Sequence, residues 1–411
     1  MPEAGKPEPQ PQPRLRAQEA WAKVRDPMSL TSLPVPSLAE GATFELLAGG
    51  AVAFERILTR IGQARRSIMV RCFEWRDDDA GRSIARALLA AADRGVQVSI
   101  LKDRIGGYYE HLEATKQSFF HKKINLHARI QLLFLMTFYG RWGSLRQSPS
   151  ELSAALVAHP KVRFVTEKRF DHAKLYQFDD ETVILGGMGI GDDFRDVNVD
   201  FMVEIAGGDA AERLADRYEG RAGFDPRRSF DYLLHSFQGV ARTGESLSAQ
   251  RLDLIAGARE RLTIAMAYLG DPTATDALVD AVKRGLSVTL LTAARANVGG
   301  DLNLATCAEL LRRTGSPHNL RLVLHPNMVH GKVIVGDGEW VDLGSTNFTR
   351  LSHGGYEEVD VFCRDRIFAR RVEQAIETEL RAGTPARLPL AYRRWRVLTE
   401  TAVSAFQGRK K

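Results

Sequence analysis

Residues 330–347 read HGKVIVGDGEWVDLGSTN, and an earlier stretch, 172–189, reads HAKLYQFDDETVILGGMG. In both stretches a lysine lies two positions after the histidine, an aspartate seven positions after it and a glycine fourteen positions after it. Each position of the second copy follows its counterpart in the first by 158 residues. A pattern repeated at one fixed distance predicts two similar structural units within the chain.

The repeat extends well beyond these two stretches. Residues 64–70 (ARRSIMV) resemble 258–264 (ARERLTI), and 87–101 (ALLAAADRGVQVSIL) resemble 277–291 (ALVDAVKRGLSVTLL). In the second pair an alanine- and leucine-rich helical pattern stops near Gly95, and a strand pattern follows. Each half therefore reads helix, strand, helix, strand. This order predicts an α/β fold with two similar α-β-α layered halves related by pseudo-two-fold symmetry.

Shifts in composition divide the chain into four segments. Residues 1–40 are rich in proline and glutamine, which predicts a mostly disordered leader. The first half of the repeat is predicted at 41–225, and it contains an insertion, 104–160, that the second half lacks. The second half is predicted at 226–385. A C-terminal helix and a basic tail are predicted at 386–411.

The insertion contains a strongly apolar segment with basic flanks. Within residues 121–142 the run LLFLMTFY is flanked by Lys122, Lys123, Arg129 and Arg141. This pattern is typical of a segment that lies in a membrane interface. A helix packed against its own domain accounts for it equally well.

The overall composition narrows the class of protein. Apolar residues make up 44% of the chain and charged residues 26%, as in ordinary globular proteins. The net charge of +6 is compatible with an anionic partner but too small to identify one. No apolar run is long enough to predict a transmembrane helix. Three scattered cysteines, Cys72, Cys307 and Cys363, favour buried thiols in a reducing compartment over a disulfide or a metal site.

Each repeated stretch also predicts a β-hairpin. The Asp-Gly pair at 337–338 lies between β-branched and apolar runs, which is a strong hairpin signal. A turn centred there places His330 opposite Thr346, and the same construction places His172 opposite Met188. A histidine and a lysine two positions apart share one face of a strand. Each hairpin therefore brings this pair to one end of a sheet.

The residue types of these clusters favour chemistry at phosphorus. A lysine is a positive donor suited to a phosphate oxygen, and serine and asparagine add neutral donors. A histidine can act as nucleophile, base or acid near neutral pH. Two facing clusters would place one histidine on each side of a phosphorus atom, so that one attacks while the other protonates the leaving oxygen. The active site is therefore predicted at the interface of the halves.

A histidine in such a role needs a carboxylate on its other ring nitrogen to orient it. An acidic candidate follows each repeated stretch. For the first stretch it is Asp196, with Asp200 as the alternative. For the second stretch it is Glu358, with Glu357 as the alternative.

At these residues the chain resembles the phospholipase D superfamily, whose signature HxKx4Dx6GSxN usually occurs twice. The second copy matches the signature at every position: His330, Lys332, Asp337, Gly344, Ser345 and Asn347. The first copy matches at His172, Lys174, Asp179 and Gly186. It has Gly187 in place of serine, as in cardiolipin synthases, and Gly189 in place of asparagine.

The resemblance implies roles for these residues. His172 would be the nucleophile that forms a phosphohistidine, and His330 the acid and then the base. The catalytic set would be His172, Lys174, His330, Lys332, Asp196 and Glu358. Contacts to the substrate phosphate would come from Lys174, Lys332, Gly187, Ser345 and Asn347, whereas Asp179 and Asp337 would be structural. Neither a metal ion nor a cofactor is implied.

Three functions are compatible with this resemblance. The favoured one is a phosphatidyltransferase or phospholipase, similar to cardiolipin synthases, that uses an alcohol or water acceptor. Such an enzyme is expected in the cytoplasm, peripheral at the inner face of an anionic membrane. A nuclease of the same superfamily is an alternative, since AYRRWRVL at 391–398 interleaves basic and aromatic residues. The third is a non-catalytic lipid- or phosphate-binding relic, because Gly189 removes a donor. No oligomeric state is predicted.

Overall fold

A computed structural model describes residues 37–112, 117–121, 125–126, 129–130, 132–133, 136, 148, 150–167, 170–236 and 246–407. The predicted leader therefore lies outside the described residues except for its last four, which form a short strand and the turn after it. The last four residues of the predicted basic tail, 408–411, also lie outside them.

The first half forms an eight-stranded sheet. In spatial order its strands are β1 (Ser37–Ala39), β2 (Ala42–Ala48), β8 (Phe201–Gly207), β7 (Thr182–Gly186), β6 (Leu175–Phe178), β3 (Ser67–Cys72), β4 (Gln97–Asp103) and β5 (Val162–Glu167). Strands β3, β4 and β5 are parallel to one another, and the other neighbours pair antiparallel.

The second half forms another eight-stranded sheet. Its strands, in spatial order, are β9 (Phe230–His235), β15 (Glu358–Cys363), β14 (Trp340–Gly344), β13 (Lys332–Gly336), β10 (Arg261–Met266), β11 (Ser287–Ala293), β12 (Leu320–His325) and β16 (Thr384–Pro385). From β9 to β12 this order reproduces the order from β2 to β5 in the first sheet. The predicted pair of similar α/β halves is confirmed.

Eleven helices accompany the sheets within the described residues. They are α1 (Gly50–Gln63), α2 (Asp79–Asp93), α3 (Gly106–Glu110), α4 (Glu151–Ala158), α5 (Asp192–Asp196), α6 (Ala210–Tyr218), α7 (Leu247–Gly257), α8 (Pro272–Lys283), α9 (Gly300–Thr314), α10 (Arg366–Ala382) and α11 (Arg394–Gln407). Helices α2 and α8 are both followed by a glycine with positive φ, 98° at Gly95 and 95° at Gly285. Glycine adopts this conformation without strain, and at both places it turns the chain from the helix into the next strand.

The core has three layers because alternate side chains of each strand point to opposite faces. On one face of the first sheet, Ile184 and Met202 pack against helices α1 and α2. On the other face, Val183 and Leu185 share a cluster with Val333 and Val335 of the second sheet. A third cluster lies between the second sheet and helices α7 to α9. The central cluster joins the two halves into one folded body.

Both predicted hairpins are present in the predicted register. Strand β13 pairs with β14 so that Val335 lies opposite Val341, and β6 pairs with β7 so that Tyr176 lies opposite Ile184. Extending these registers places His330 opposite Thr346, as predicted. The turn residues Asp337 and Gly338 both have positive φ, the conformation that fits the twist of a tight hairpin.

The insertion is described only in part. Its apolar run contributes Leu132 and Met136 to a small buried cluster with Tyr108 and Leu112. The other residues of the run, apart from the half-exposed Leu133, lie outside the described residues. Among the helices that the structure describes, none is both long enough and apolar enough to cross a membrane.

Candidate active site

The two repeated histidines line one cleft at the interface of the halves. His172 and His330 both border it, as does Asn347. Each histidine lies just before the first strand of its hairpin, in a stretch whose backbone bonds to the other half. His172 N–H donates to the carbonyl of Glu357 at 2.8 Å, and His330 N–H donates to the carbonyl of Val199 at 2.7 Å. These paired bonds fix the two histidines relative to each other.

Each histidine is held by a carboxylate from the opposite half. His172 Nδ1 lies 3.0 Å from both carboxylate oxygens of Glu358. His330 Nδ1 lies 2.8 Å from Oδ2 of Asp200. An ionised carboxylate only accepts hydrogen bonds, so each Nδ1 must carry the proton. Nε2 is then left as the basic nitrogen of each ring.

The prediction that Asp196 orients a histidine is wrong. Its carboxylate instead pairs with the neighbouring guanidinium of Arg195 at 2.7 and 2.8 Å, and its side chain is 48% exposed. The short helix α5 ends at this residue, which is not among the residues that line the cleft. The alternative, Asp200, contacts His330, and the repeat contains the signal for it. Glu358 follows Asp200 by the same 158 residues that separate the histidines.

Two buried lysines supply positive charge beneath the cleft. Lys174 Nζ donates to the carbonyl of His172 at 2.5 Å, and Lys332 Nζ donates to the carbonyl of His330. Burial lowers the pKa of Lys174 to about 7 and that of Lys332 to about 8, although the nearby carboxylates oppose this shift. Lysines so poorly solvated gain strongly from an anion in the cleft.

Burial favours the uncharged form of both histidines. Burial, followed by the charges of Lys174 and Lys332, lowers the pKa of His172 well below its usual value. Burial and Lys332 lower the pKa of His330 to about 4, although Asp200 favours its charged form. A neutral imidazole has the lone pair that a nucleophile requires.

Neutral hydrogen-bond donors are distributed unequally between the halves. Ser345 Oγ donates to Glu358 Oε2 at 2.5 Å, so it braces the carboxylate that holds His172. Its counterpart, Gly187, leaves no room for a side chain, because a Cβ there would lie 2.6 Å from Oδ1 of Asp200. A direct contact from Ser345 or Gly187 to a substrate phosphate stays a prediction.

The departure at Gly189 also has a packing cause. A Cβ at this position would lie 2.7 Å from the ring of Phe194. That ring packs edge-on against His330, with 5.1 Å between the ring centroids. The first half therefore exchanges the asparagine for an aromatic contact that supports the histidine of the other half.

The two motif aspartates lie at the far ends of the hairpins. Asp337 accepts hydrogen bonds from the backbone N–H groups of residues 259, 260 and 261, and Asp179 accepts them from residues 65, 66 and 67. Partial burial opposes ionisation, but these donors prevail and lower the pKa of each aspartate. Both aspartates tie the hairpin turn to the start of a neighbouring strand.

An aromatic wall beside His172 was not predicted from the sequence. Tyr356 stacks on the imidazole at a centroid distance of 5.4 Å, and Phe73 packs edge-on against it at 4.9 Å. Tyr109, from the insertion, continues this wall. On the other side of the cleft, Tyr268 lies 6.2 Å from the His330 ring. The repeat gives no signal for an aromatic wall, because the counterparts of Phe73, Tyr268 and Tyr356 are Ala267, Glu74 and Asn198.

Comparison with known proteins gives matches over most of the chain. The family model described as "Cardiolipin synthase, PLD-like domain" matches residues 57–221 and 252–380. Cardiolipin synthase A of Pseudomonas entomophila is 26% identical over 383 residues, which cover 89% of this chain and 73% of that protein. Cardiolipin synthase B of Escherichia coli K12 is 23% identical over 362 residues, which cover 80% of this chain and 78% of that protein.

A solved structure shares the fold. The crystal structure of phosphatidylserine synthase from Haemophilus influenzae matches with a TM-score of 0.63 at 15% sequence identity. The match covers 91% of this chain and 96% of that one. The likeness therefore extends over both halves rather than over a single sheet.

Replacing either carboxylate that holds a histidine should remove most of the activity. Asp200→Asn and Glu358→Gln keep the size of the side chain, but an amide can donate to Nδ1 and favour the wrong tautomer. We expect kcat to fall by roughly 10³- to 10⁴-fold in either variant. The measurement is hydrolysis of the soluble diester bis(4-nitrophenyl) phosphate. Asp196→Asn is the matched control and should stay close to wild type; the reverse pattern would contradict the geometry.

Restoring the superfamily's asparagine at position 189 should damage the protein. The added side chain collides with Phe194, so Gly189→Asn should lower the free energy of unfolding by about 1–3 kcal/mol. Urea unfolding measures this change. Adding Phe194→Leu should recover part of the stability. A single variant as stable as the wild type would show that Phe194 is not the constraint.

Proposed function

The chain belongs to the phospholipase D-like family described as "Cardiolipin synthase, PLD-like domain", and we propose that it transfers or hydrolyses the phosphatidyl group of a phospholipid through a phosphohistidine on His172. One observation carries this proposal. Two histidines border a single cleft, and each has Nδ1 engaged by a buried carboxylate. This arrangement leaves two basic Nε2 atoms for one phosphorus.

In the first step, His172 Nε2 attacks phosphorus while the bond from phosphorus to the head-group oxygen breaks. His330, in its protonated form, gives its Nε2 proton to that oxygen. Burial lowers the pKa of His330, which by itself would oppose this role. A phosphodiester anion beside the ring favours the imidazolium form, so substrate binding itself prepares the acid.

In the second step, the oxygen of water or of an alcohol attacks phosphorus on the face that the head group left. His330 Nε2 takes the proton of this oxygen, and the N–P bond to His172 breaks. Water yields phosphatidic acid, and an alcohol yields a new phosphatidyl ester. Both histidines return to their starting state.

Positive charge for the transition state comes from the protein in this proposal. Lys174 and Lys332 lie beneath the cleft with carboxylates close by, and their ammonium groups are poorly solvated. A bound anion favours the charged forms of both lysines, and these stabilise developing negative charge without reorganisation during the reaction. We propose on this ground that the reaction proceeds without a metal ion.

We propose that the cleft opens onto an anionic lipid surface. The aromatic wall continues from Tyr109 into the buried cluster of the insertion. The insertion also contains Leu126 and Ile130, which are 75% and 60% exposed. On α11, Trp395 and Leu398 are also exposed, and Arg394 adds positive charge. Exposed apolar side chains beside arginines suit a lipid interface. A cytoplasmic location at the inner face of the membrane is part of this proposal.

Trp395 also supports the second candidate function. Its indole is 59% exposed, and the guanidinium of Arg396 lies 5.3 Å from its centroid. Aromatic rings between arginines can stack on the bases of single-stranded nucleic acid. We place the nuclease second, because the apolar surface of the insertion has no role in it.

The decisive assay uses vesicles of phosphatidylglycerol and phosphatidylethanolamine in EDTA, with products identified by mass spectrometry. The wild type should form phosphatidic acid or a new phosphatidyl ester. In His172→Ala and His330→Ala the rate should fall by roughly 10³-fold or more, since the two groups act as a unit. The exposed His318 lies outside the cleft, and His318→Ala should retain activity.

Three results would count against this proposal. Near-normal turnover by either histidine variant would exclude the two-histidine mechanism, and loss of turnover in EDTA would exclude metal independence. Cleavage of DNA or RNA without any change in lipid would favour the nuclease.

The exposed apolar residues of the insertion should matter for vesicles alone. Leu126→Ser with Ile130→Ser should weaken sedimentation with anionic vesicles, because about 0.8 kcal/mol is lost for each buried CH₂ group that is removed. Hydrolysis of bis(4-nitrophenyl) phosphate should not change. The matched control replaces Val52 and Ile367, which are 50% and 56% exposed elsewhere. Equal vesicle binding by both double variants would contradict the proposed lipid surface.

A further inference from the structure

A fully buried ion cluster lies behind the second hairpin. Arg251 of α7 contacts Asp342 of β14 through Nε at 2.6 Å and Asp360 of β15 through Nη2 at 2.7 Å. None of the three side chains is exposed to solvent. Burial raises the pKa of both aspartates, so enclosing these three polar side chains is costly, and well-packed apolar residues often give equal or greater stability. The cluster therefore calls for an explanation beyond stability.

The cluster forms hydrogen bonds with the backbone of the central residue of the 345–347 loop. Arg251 Nη1 donates to the carbonyl of Thr346 at 2.7 Å, and Asp360 Oδ1 accepts from the N–H of Thr346 at 3.0 Å. Both backbone polar groups of Thr346 are thereby fixed. Its two neighbours are Ser345, which braces the carboxylate behind His172, and Asn347, which lines the cleft.

A continuous chain of contacts leads from the cluster to the nucleophile. Asp360 and Glu358 lie two residues apart on β15, so they share one face of the strand. Ser345 Oγ joins this face by donating to Glu358 at 2.5 Å, and Glu358 holds His172 Nδ1 at 3.0 Å. A displacement of the loop would therefore also displace the imidazole of His172, which belongs to the other half.

The first half supplies an internal comparison, because it contains the same fold without the ions. Arg251 follows Ile57 by 194 residues, the distance that separates the similar stretches 64–70 and 258–264. Asp342 and Asp360 follow Ile184 and Met202 by 158 residues. All three apolar residues are buried in one cluster, together with Met188, the counterpart of Thr346. The architecture thus forms equally well with an apolar set. The ions occur only in the half whose loop has polar side chains at both Ser345 and Asn347.

We propose that Arg251, Asp342 and Asp360 are positioning residues, which fix the 345–347 loop and, through Ser345 and Glu358, the imidazole of His172. The importance of this for turnover rests on the proposed function. The claim that the cluster positions the imidazole does not rest on the proposed function, because it concerns only the contacts of His172. The cluster also explains how the loop of the second half can carry Ser345 and Asn347, while the loop of the first half has Gly187 and Gly189 at the same positions.

The test transplants the residues of the first half into the second. The triple variant Arg251→Ile, Asp342→Ile, Asp360→Met should fold, with a cooperative unfolding transition. The ¹⁵N signals of the His172 ring should shift or broaden, whereas those of His330, held by Asp200, should stay. With the phospholipid vesicles as substrate, kcat should fall by roughly 10- to 100-fold, as expected for a misplaced nucleophile, while KM changes little. Glu373→Gln, which removes a bridge to Arg261, controls for the loss of an ion pair.

Arg251→Lys provides the same test if the triple variant does not fold. It keeps the charge, but a single nitrogen cannot reach both carboxylates and the Thr346 carbonyl. The same shift at His172, smaller in size, is expected. A folded triple or lysine variant with unchanged His172 signals would overturn the proposal. Because the ring signals need no substrate, they decide it even if the wild type turns over no phospholipid.

Discussion

The site depends on an exchange of carboxylates between the two halves. Glu358 of the second half holds His172 of the first, and Asp200 of the first half holds His330 of the second. Backbone hydrogen bonds next to each pair also join one half to the other. Neither half alone has an oriented histidine, so a complete site requires both. This explains why one chain contains the pattern twice at a fixed spacing.

Symmetry sets the positions of the residues, but the two halves have diverged in their chemistry. The second half carries Ser345 and Asn347 above a buried ion cluster, whereas the first half has Gly187 and Gly189 above an apolar core. The environments of the histidines differ accordingly. His172 lies within an aromatic wall, and His330 lies against Phe194. Different surroundings suit the different roles that we propose for nucleophile and acid.

Much of this architecture could be predicted from the sequence because the repeat is local and regular. Helix ends, hairpin turns and strand register depend on nearby residues, and both hairpins have the predicted register. The prediction of Asp196 failed because it relied on proximity in sequence, whereas the fixed repeat distance leads from Glu358 to Asp200. The crossing itself, and the packing of Phe194 on Gly189, are tertiary contacts that no local pattern encodes. The family, the fold and the class of enzyme, a phospholipase D-superfamily phosphatidyltransferase or phosphodiesterase, agree with the comparisons.

The crossing of the carboxylates is tested most directly by ¹⁵N NMR of the ring nitrogens in histidine-labelled protein. The account predicts that His172 and His330 both carry the proton on Nδ1 in the wild type. Glu358→Gln should change the ring signals of His172 and leave His330 unaltered, and Asp200→Asn should do the opposite. If each substitution instead altered the ring signals of the histidine in its own half, the claim that each carboxylate holds the histidine of the opposite half would be contradicted.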